Sequence, residues 1–243
     1  MRIIQGQSQK EAAEIIAMTL IDRISSHPAS VIGLATGNTM IPVYEAWVRM
    51  AGERSINHDK CFFFMLDEYL DIPAEHPSSF KCYLQKHLFI PLKIHEDQIA
   101  YPPVHSSSLK EAGAEYERTI HEAGGIDIQL LGIGTNGHIG FNEPGSQGDS
   151  RTREVELTQE TIAVNQKNFE GQMPSRALSM GIATILESKS LLMMASGSSK
   201  APVIKHLLNH HDDPECPATF LKSHPHFTLV LDPEAASKIN LKI

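Results

Sequence analysis

The chain has 243 residues, of which 41% are hydrophobic and 21% charged, and a formal net charge of −8. That length suits one α/β domain with a substantial core, and a single domain over residues 1–243 is expected. The acidic balance, with no cluster of lysines and arginines, argues against nucleic acid and against an anionic membrane surface as partners. A small anionic ligand then needs a few cations placed locally against the overall field.

Met1-Arg2-Ile3-Ile4-Gln5 leads directly into a short strand, without the long apolar stretch of a signal peptide, and no run reaches transmembrane length. The cysteines, Cys61, Cys82 and Cys216, are scattered and lack CxxC spacing. They read as free buried thiols in a reducing compartment, so a cytoplasmic location is expected.

Val31–Ala35 is a short apolar strand, followed by a helix over Ile41–Ala51 with Val43, Trp47 and Met50 on one face. Cys61–Leu66 is a second apolar strand, and Phe80–Phe89 reads as a helix. An amphipathic helix over Leu109–Ala123 precedes the strand Ile126–Ile133; its acidic residues from Glu111 to Glu122 read as a solvated face. A helix over Ala177–Glu187, a strand Leu191–Ala195, a helix Ala201–Leu208 and a strand Phe227–Leu231 complete the order. Strands bounded by helices imply an α/β fold of three layers: an open, mostly parallel sheet with helices on both faces.

Ligands of such sheets bind outside the carboxyl ends of the strands. The rule selects Thr36-Gly37-Asn38-Thr39, Asp67-Glu68-Tyr69, the glycine-rich stretch Gly132 to Gly145, and Ser196-Gly197-Ser198-Ser199-Lys200. The first and last each lead into a helix, whose backbone N–H groups can face an anion; Lys200 adds a charge. Such loops also serve simply as helix caps. Asp67 follows Phe62-Phe63-Phe64-Met65-Leu66, and that apolar surface should raise its pKa and make it a proton acceptor. The alternative is that Asp67 caps a turn, with Glu68 the solvated member of the pair. His138 is flanked by two groups able to hydrogen-bond it, Asn136 and Glu143. A base and a separate acid/base group on one rim suit proton transfer beside a carbonyl or hemiacetal, which points to sugar-phosphate isomerisation. No GxGxxG follows the first strand and no GxxxxGK[ST] is present.

Gly33-Leu34-Ala35-Thr36-Gly37, Leu66-Asp67-Glu68-Tyr69 with His76-Pro77-Ser78-Ser79-Phe80, and Gly132 through Pro144 resemble segments of the glucosamine-6-phosphate deaminase family (glucosamine/galactosamine-6-phosphate isomerases). Ser150-Arg151-Thr152-Arg153 and Ser196–Lys200 are weaker matches, and together they span nearly the whole chain in order. The resemblance implies a modified Rossmann-like fold and conversion of glucosamine 6-phosphate to fructose 6-phosphate and ammonia. It implies that Asp67 is the enolisation base, that His138 opens the pyranose ring, and that Asn136 and Glu143 orient and tune His138. The two helix-starting loops make a phosphate-monoester pocket of Thr36, Gly37, Asn38, Thr39, Ser198 and Lys200; the resemblance adds Lys167 and implies no metal and no organic cofactor.

The chain departs from the family pattern in places. Asn136 stands where many members have aspartate, which leaves Glu143 to supply most of the charge beside His138. Asn38 replaces a common glycine, and asparagine tolerates left-handed backbone. In Gln166-Lys167-Asn168-Phe169, expected to form a lid, Lys167 stands for an arginine and loses its bidentate fork. Some members are hexamers activated by N-acetylglucosamine 6-phosphate through a serine, an arginine, a lysine and a C-terminal tyrosine. Here Ser146 and Arg153 match, Val155 replaces the lysine, and the sequence stops at Lys242-Ile243. The expectation is no activation, in a monomer or small homo-oligomer.

Two other functions compete: a 6-phosphogluconolactonase-like hydrolase and a non-catalytic sugar-phosphate sensor. The Phe-Asn-Glu-Pro continuation and the Leu-Asp-Glu-Tyr loop weigh against the first. The presence of Asp67, His138 and Glu143 together weighs against the second. His210-His211-Asp212-Asp213 and His224-Pro225-His226 lie in polar connections without helical ligand spacing, so no metal site is expected there.

Overall fold

Phe62-Phe63-Phe64-Met65 is apolar at every position because both faces of its strand are covered, the signature of a buried parallel sheet. A computed structural model describes residues 1–240, the side chain of Asn168 apart. Its elements are β1 (Arg2–Gln5), α1 (Gln9–Ser26), β2 (Val31–Leu34), α2 (Ile41–Glu53), β3 (Phe62–Met65) and β4 (Asp67–Tyr69). There follow α3 (Phe80–Leu84), a π-helical turn (Gln85–Phe89), α4 (Ile90–Leu92), β5 (Ile99–Ala100), α5 (Leu109–Glu122) and β6 (Ile128–Leu131). The remainder is β7 (Arg153–Glu156), α6 (Gln159–Asn165), β8 (Arg176–Ser179), α7 (Ile182–Leu186), β9 (Leu191–Ala195), α8 (Ala201–Asn209) and β10 (Phe227–Leu231).

Seven strands form a parallel sheet in the order β1-β10-β9-β6-β2-β3-β5. The chain runs outward from β2 through β3 to β5, then returns to place β6 on the other side of β2. That reversal creates a crevice at the carboxyl ends of β2 and β6, where open sheets of this kind bind ligands. A second, antiparallel sheet, β4-β8-β7, lies beyond the rim. Its own apolar cluster is built on Tyr69, whose ring centroid lies 4.6 Å from Phe80, 5.4 Å from Phe141 and 5.6 Å from Phe169. Among the described residues, no helix is long and apolar enough to cross a membrane.

α1 is absent from the expected elements, although its signals are present: Ser8 accepts the Glu11 N–H, and Ala12, Ile16, Leu20 and Ile24 repeat on one buried face. The helix expected over Ala177–Glu187 is incorrect. Residues 176–179 form β8, and only Ile182–Leu186 are helical. A short apolar run does not distinguish helix from strand by itself. Here β8 pairs with β4 on one side and β7 on the other, which settles the backbone as extended. Glu117, expected on a solvated face, instead accepts hydrogen bonds from Thr152 N–H and the side chains of Arg151 and Thr184. Trp47 is fully buried, and the three cysteines are free. Lys242 and Ile243, on which the expectation about effector contacts partly rested, lie outside the described residues.

Candidate active site

Asp67 begins β4, where the chain leaves the main sheet for the small one, with Ser179 opposite it. Its carboxylate is 5% exposed and accepts no hydrogen bond among the described residues. Burial, with the Glu68 charge adding to it, pushes Asp67 up to about 8. Glu68 is not the solvated partner allowed for above. It is buried, and its oxygens accept the N–H groups of Tyr69 (2.8 Å), Phe80 (3.0 Å) and Lys81 (2.8 Å), so it anchors the start of α3. Burial raises the Glu68 pKa as well, against those three bonds.

The histidine loop reaches the same place from β6. A Cβ on Gly140 would stand 3.3 Å from Asp67 Oδ2 and 3.0 Å from Ser179 Oγ, so Asp67 borders this loop directly. His138 is half-buried, with Nδ1 3.5 Å from Glu143 Oε2, nearer a charge contact than a formed hydrogen bond. Burial acts to raise the Glu143 pKa, but the His138 ring and the amide of Asn136 outweigh it and hold Glu143 at about 2. Asn136 donates from Nδ2 to Glu143 at 2.9 Å and accepts the His138 N–H at 3.2 Å. It therefore holds the backbone of His138 and the carboxylate, not the imidazole ring.

Asn142 carries a part that sequence reasoning missed, although it lies inside the Phe-Asn-Glu-Pro segment. It is fully buried; its Nδ2 donates to the carbonyls of Ile139 (2.9 Å) and Met180 (2.8 Å), and its Oδ1 accepts from Arg153 at 2.9 Å. A saturated buried amide of this kind fixes the loop against the turn after β8.

Thr36-Gly37-Asn38-Thr39 follows β2. Gly37 takes φ +105°, open to glycine without strain. Its carbonyl accepts the Tyr83 hydroxyl at 2.8 Å and the Met40 N–H at 2.9 Å, while Tyr44 donates its hydroxyl to Ala35 O. Among the described residues, the N–H groups of Gly37, Asn38 and Thr39 have no acceptor within the chain. The loop is thus held by its carbonyls with its donors left for an anion. The tyrosine contacts had no sequence signal, since Tyr83 meets Gly37 across 46 positions.

The Ser196–Lys200 loop differs from expectation. Its Gly197 N–H donates to Asp232 and its Ser198 N–H to Glu234 at 3.1 Å, so these amides already face carboxylates. What remains for an anion is the Ser199 N–H, the side chains of Ser198 and Ser199 and the Lys200 ammonium. Lys200 is half-buried without an ion-pair partner among the described residues, and burial lowers its pKa. Lys167, in the turn after α6, is exposed and makes no side-chain hydrogen bond or ion pair among the described residues.

Because β9, β6, β2 and β3 are consecutive in the sheet, their loops bring Lys200, His138, the Thr36–Thr39 amides and Asp67 onto one rim. Fold and site define a class: an open parallel α/β protein with a buried carboxylate, a histidine beside a second carboxylate, and a loop of amides unpaired among the described residues at its strand ends. Residues 5–230 match the glucosamine-6-phosphate isomerases/6-phosphogluconolactonase family, and the chain belongs to it. It is 43% identical over 233 residues to a glucosamine-6-phosphate deaminase of Rhodopirellula baltica, covering 95% of this chain and 93% of the relative. It is 37% identical to that of Halothermothrix orenii, covering 98% of this chain and 99% of the relative. A solved monomeric glucosamine-6-phosphate deaminase superposes with a TM-score of 0.95 at 35% identity, over 98% of this chain and 100% of the other. A 6-phosphogluconolactonase from Trypanosoma cruzi shares the fold, with a TM-score of 0.76 at 20% identity over 99% and 97% of the two chains.

Proposed function

We infer that this chain isomerises and deaminates glucosamine 6-phosphate to fructose 6-phosphate and ammonia, in amino-sugar catabolism. The observation that carries the reading is Asp67: a buried carboxylate without a hydrogen-bond partner among the described residues, bordering the loop that holds His138 and Glu143. The 6-phosphate sits on the Gly37–Thr39 amides and the Lys200 ammonium, with Lys167 and the Ser198 hydroxyl beside it. His138, held by Glu143, protonates the ring oxygen as the C1–O5 bond breaks, and the 1-hydroxyl releases its proton to give the open-chain aldehyde. Asp67 takes the C2 proton as O1 regains the proton it released, forming the enolamine, and Asp67 then returns its proton to C1, which leaves an imine at C2. Water adds to that carbon and the C–N bond breaks, releasing ammonia and the ketone. Each step needs a group that exchanges a proton near neutral pH, which a carboxyl raised to about 8 does.

The deciding assay measures ammonia and fructose 6-phosphate together from glucosamine 6-phosphate. Equal amounts of both are expected. Hydrolysis of 6-phosphogluconolactone with no ammonia from the amino sugar would show a lactonase instead. Three free cysteines fit a reducing cytoplasm, and the solved monomeric relative supports a monomer or small homo-oligomer folded as one domain.

Regulation is read from a cavity of about 560 Å³, lined in part by Glu143, Ser146, Arg153 and Val155. Arg153 is spent on Asn142 and Ser146, and the lining also carries Asp149, Glu154 and Glu156. Glu154 is paired to Arg176, and Glu143, Asp149 and Glu156 beside one committed guanidinium disfavour a phosphate ester. Initial rates against glucosamine 6-phosphate should be hyperbolic, and saturating N-acetylglucosamine 6-phosphate should leave them unchanged. A sigmoidal curve that the effector converts to a hyperbola would contradict this.

A further inference from the structure

The segment Asp213–Phe220, between α8 and β10, takes no part in the chemistry above, yet it touches the histidine loop at three places. Gly137, immediately before His138, has φ +87°, and a Cβ there would stand 2.4 Å from Cys216 Sγ and 3.0 Å from Cys216 Cα. The Gly137 carbonyl accepts the Ala218 N–H at 2.9 Å. Farther along, the Gly145 N–H donates to Pro214 O at 2.8 Å, and a Cβ on Gly148 would meet the Phe220 ring at 2.9 Å.

The segment is braced from within. Cys216 N–H donates to Asp213 O at 2.9 Å, Asp213 N–H donates to Thr219 Oγ1 at 2.8 Å, and Ala218 and Thr219 are fully buried. A 2.7 Å contact between His206 Nε2 and Asp213 Oδ2 ties it to α8. Burial pushes the Cys216 thiol up to about 11, so the sulfur is a neutral packing group at physiological pH.

We propose that Cys216 is a positioning residue for His138: its side chain fills the space beside Gly137 and so fixes the backbone that sets His138 3.5 Å from Glu143. Interiors packed to this density transmit the addition of a single methyl group. A serine keeps the size of the cysteine, whereas a valine adds a branch that Gly137 must give way to. The inference rests on the role given to His138 above, so its test carries one readout independent of turnover.

Cys216→Val and Cys216→Ser are compared with the wild type in steady-state deamination and in imidazole ¹H–¹⁵N spectra of the full chain, the His138 signals being assigned by His138→Gln. Cys216→Val should lower kcat at least about tenfold with KM within about threefold, because a small displacement of a catalytic group costs rate and not binding. The His138 ring resonances should move, and Cys216→Ser should restore at least half of wild-type kcat. Unmoved resonances in folded Cys216→Val, or equal kcat losses for valine and serine, overturn the proposal. If Cys216→Val does not fold, Cys216→Ala removes only the Sγ that packs beside Gly137 and leaves the Ala218 N–H bond to Gly137 O in place. The same shift of His138 is then expected, and its absence is again decisive against the proposal. A wild type without deaminase activity would overturn the proposed function, while the resonances still report whether Cys216 positions His138.

Discussion

Asp67→Asn should abolish turnover, with kcat falling at least ~10²-fold and KM changing little, since loss of a general base is a loss in the transition state. The asparagine keeps the size of the side chain, and no hydrogen bond to the carboxylate from the described residues is lost with it. What disappears is a group that can take the C2 proton and give it back. A variant retaining more than about a tenth of wild-type kcat would remove Asp67 from that role.

The wild-type pH dependence follows from the same group. The base works when ionised, so kcat/KM should rise with pH and level off above about 8. Glu68, whose charge adds to the burial of Asp67, makes the direction testable: Glu68→Gln should move the rise to lower pH. Stability runs the opposite way. Asp67 titrates at about 8 in the fold against an ordinary 3.8, so the folded chain binds a proton that the unfolded chain releases between those values. Its contribution to stability is complete below pH 3.8, is lost as pH rises toward 8, and is flat above. Melting temperatures of Asp67→Asn and wild type should therefore converge at acid pH, with the variant higher at pH 8 and above. A variant equal to or less stable than wild type at alkaline pH would show that Asp67 is not held at such a cost.

Lys200→Ala should raise KM for glucosamine 6-phosphate on the order of tenfold to a hundredfold, the value of a charge-assisted hydrogen bond of about 1.5–3 kcal/mol. Lys200 is half-buried and without an ion-pair partner among the described residues, so its ammonium is desolvated and available. Lys167 is exposed, and Lys167→Ala should cost only a few-fold, as exposed charge contacts do. The control is any residual activity on unphosphorylated glucosamine, which neither variant should reduce. Equal losses of Lys200→Ala on both substrates would mean that the lysine serves the fold.

The main strands were legible in sequence because continuous apolar runs such as Phe62–Met65 and Leu191–Ala195 have few other places to go than a covered sheet. Asp67 and His138 could be picked out for a related reason: a charged or titratable side chain at the end of such a run stands out against its neighbours. Charge and spacing, however, say nothing of which donors are already occupied. The amides of Gly197 and Ser198 look like an anion site until Asp232 and Glu234, more than thirty residues away in sequence, prove to hold them. Glu68 could be solvated or buried until the N–H groups of α3 reach it.

Residues 177–179 show the same limit for the backbone. The run suits either helix or strand, and only two flanking strands from distant parts of the chain decide it. The sequence by itself determined the main strands of the parallel sheet, the order of their loops and the chemical types on the rim, because these depend on local apolar pattern and turn residues; β5 and the antiparallel sheet were decided by tertiary pairing. The tertiary structure decided which polar groups are paired, which are left for a ligand, and that Cys216 lies against Gly137, because hydrogen bonding and close packing are settled between segments far apart in the chain.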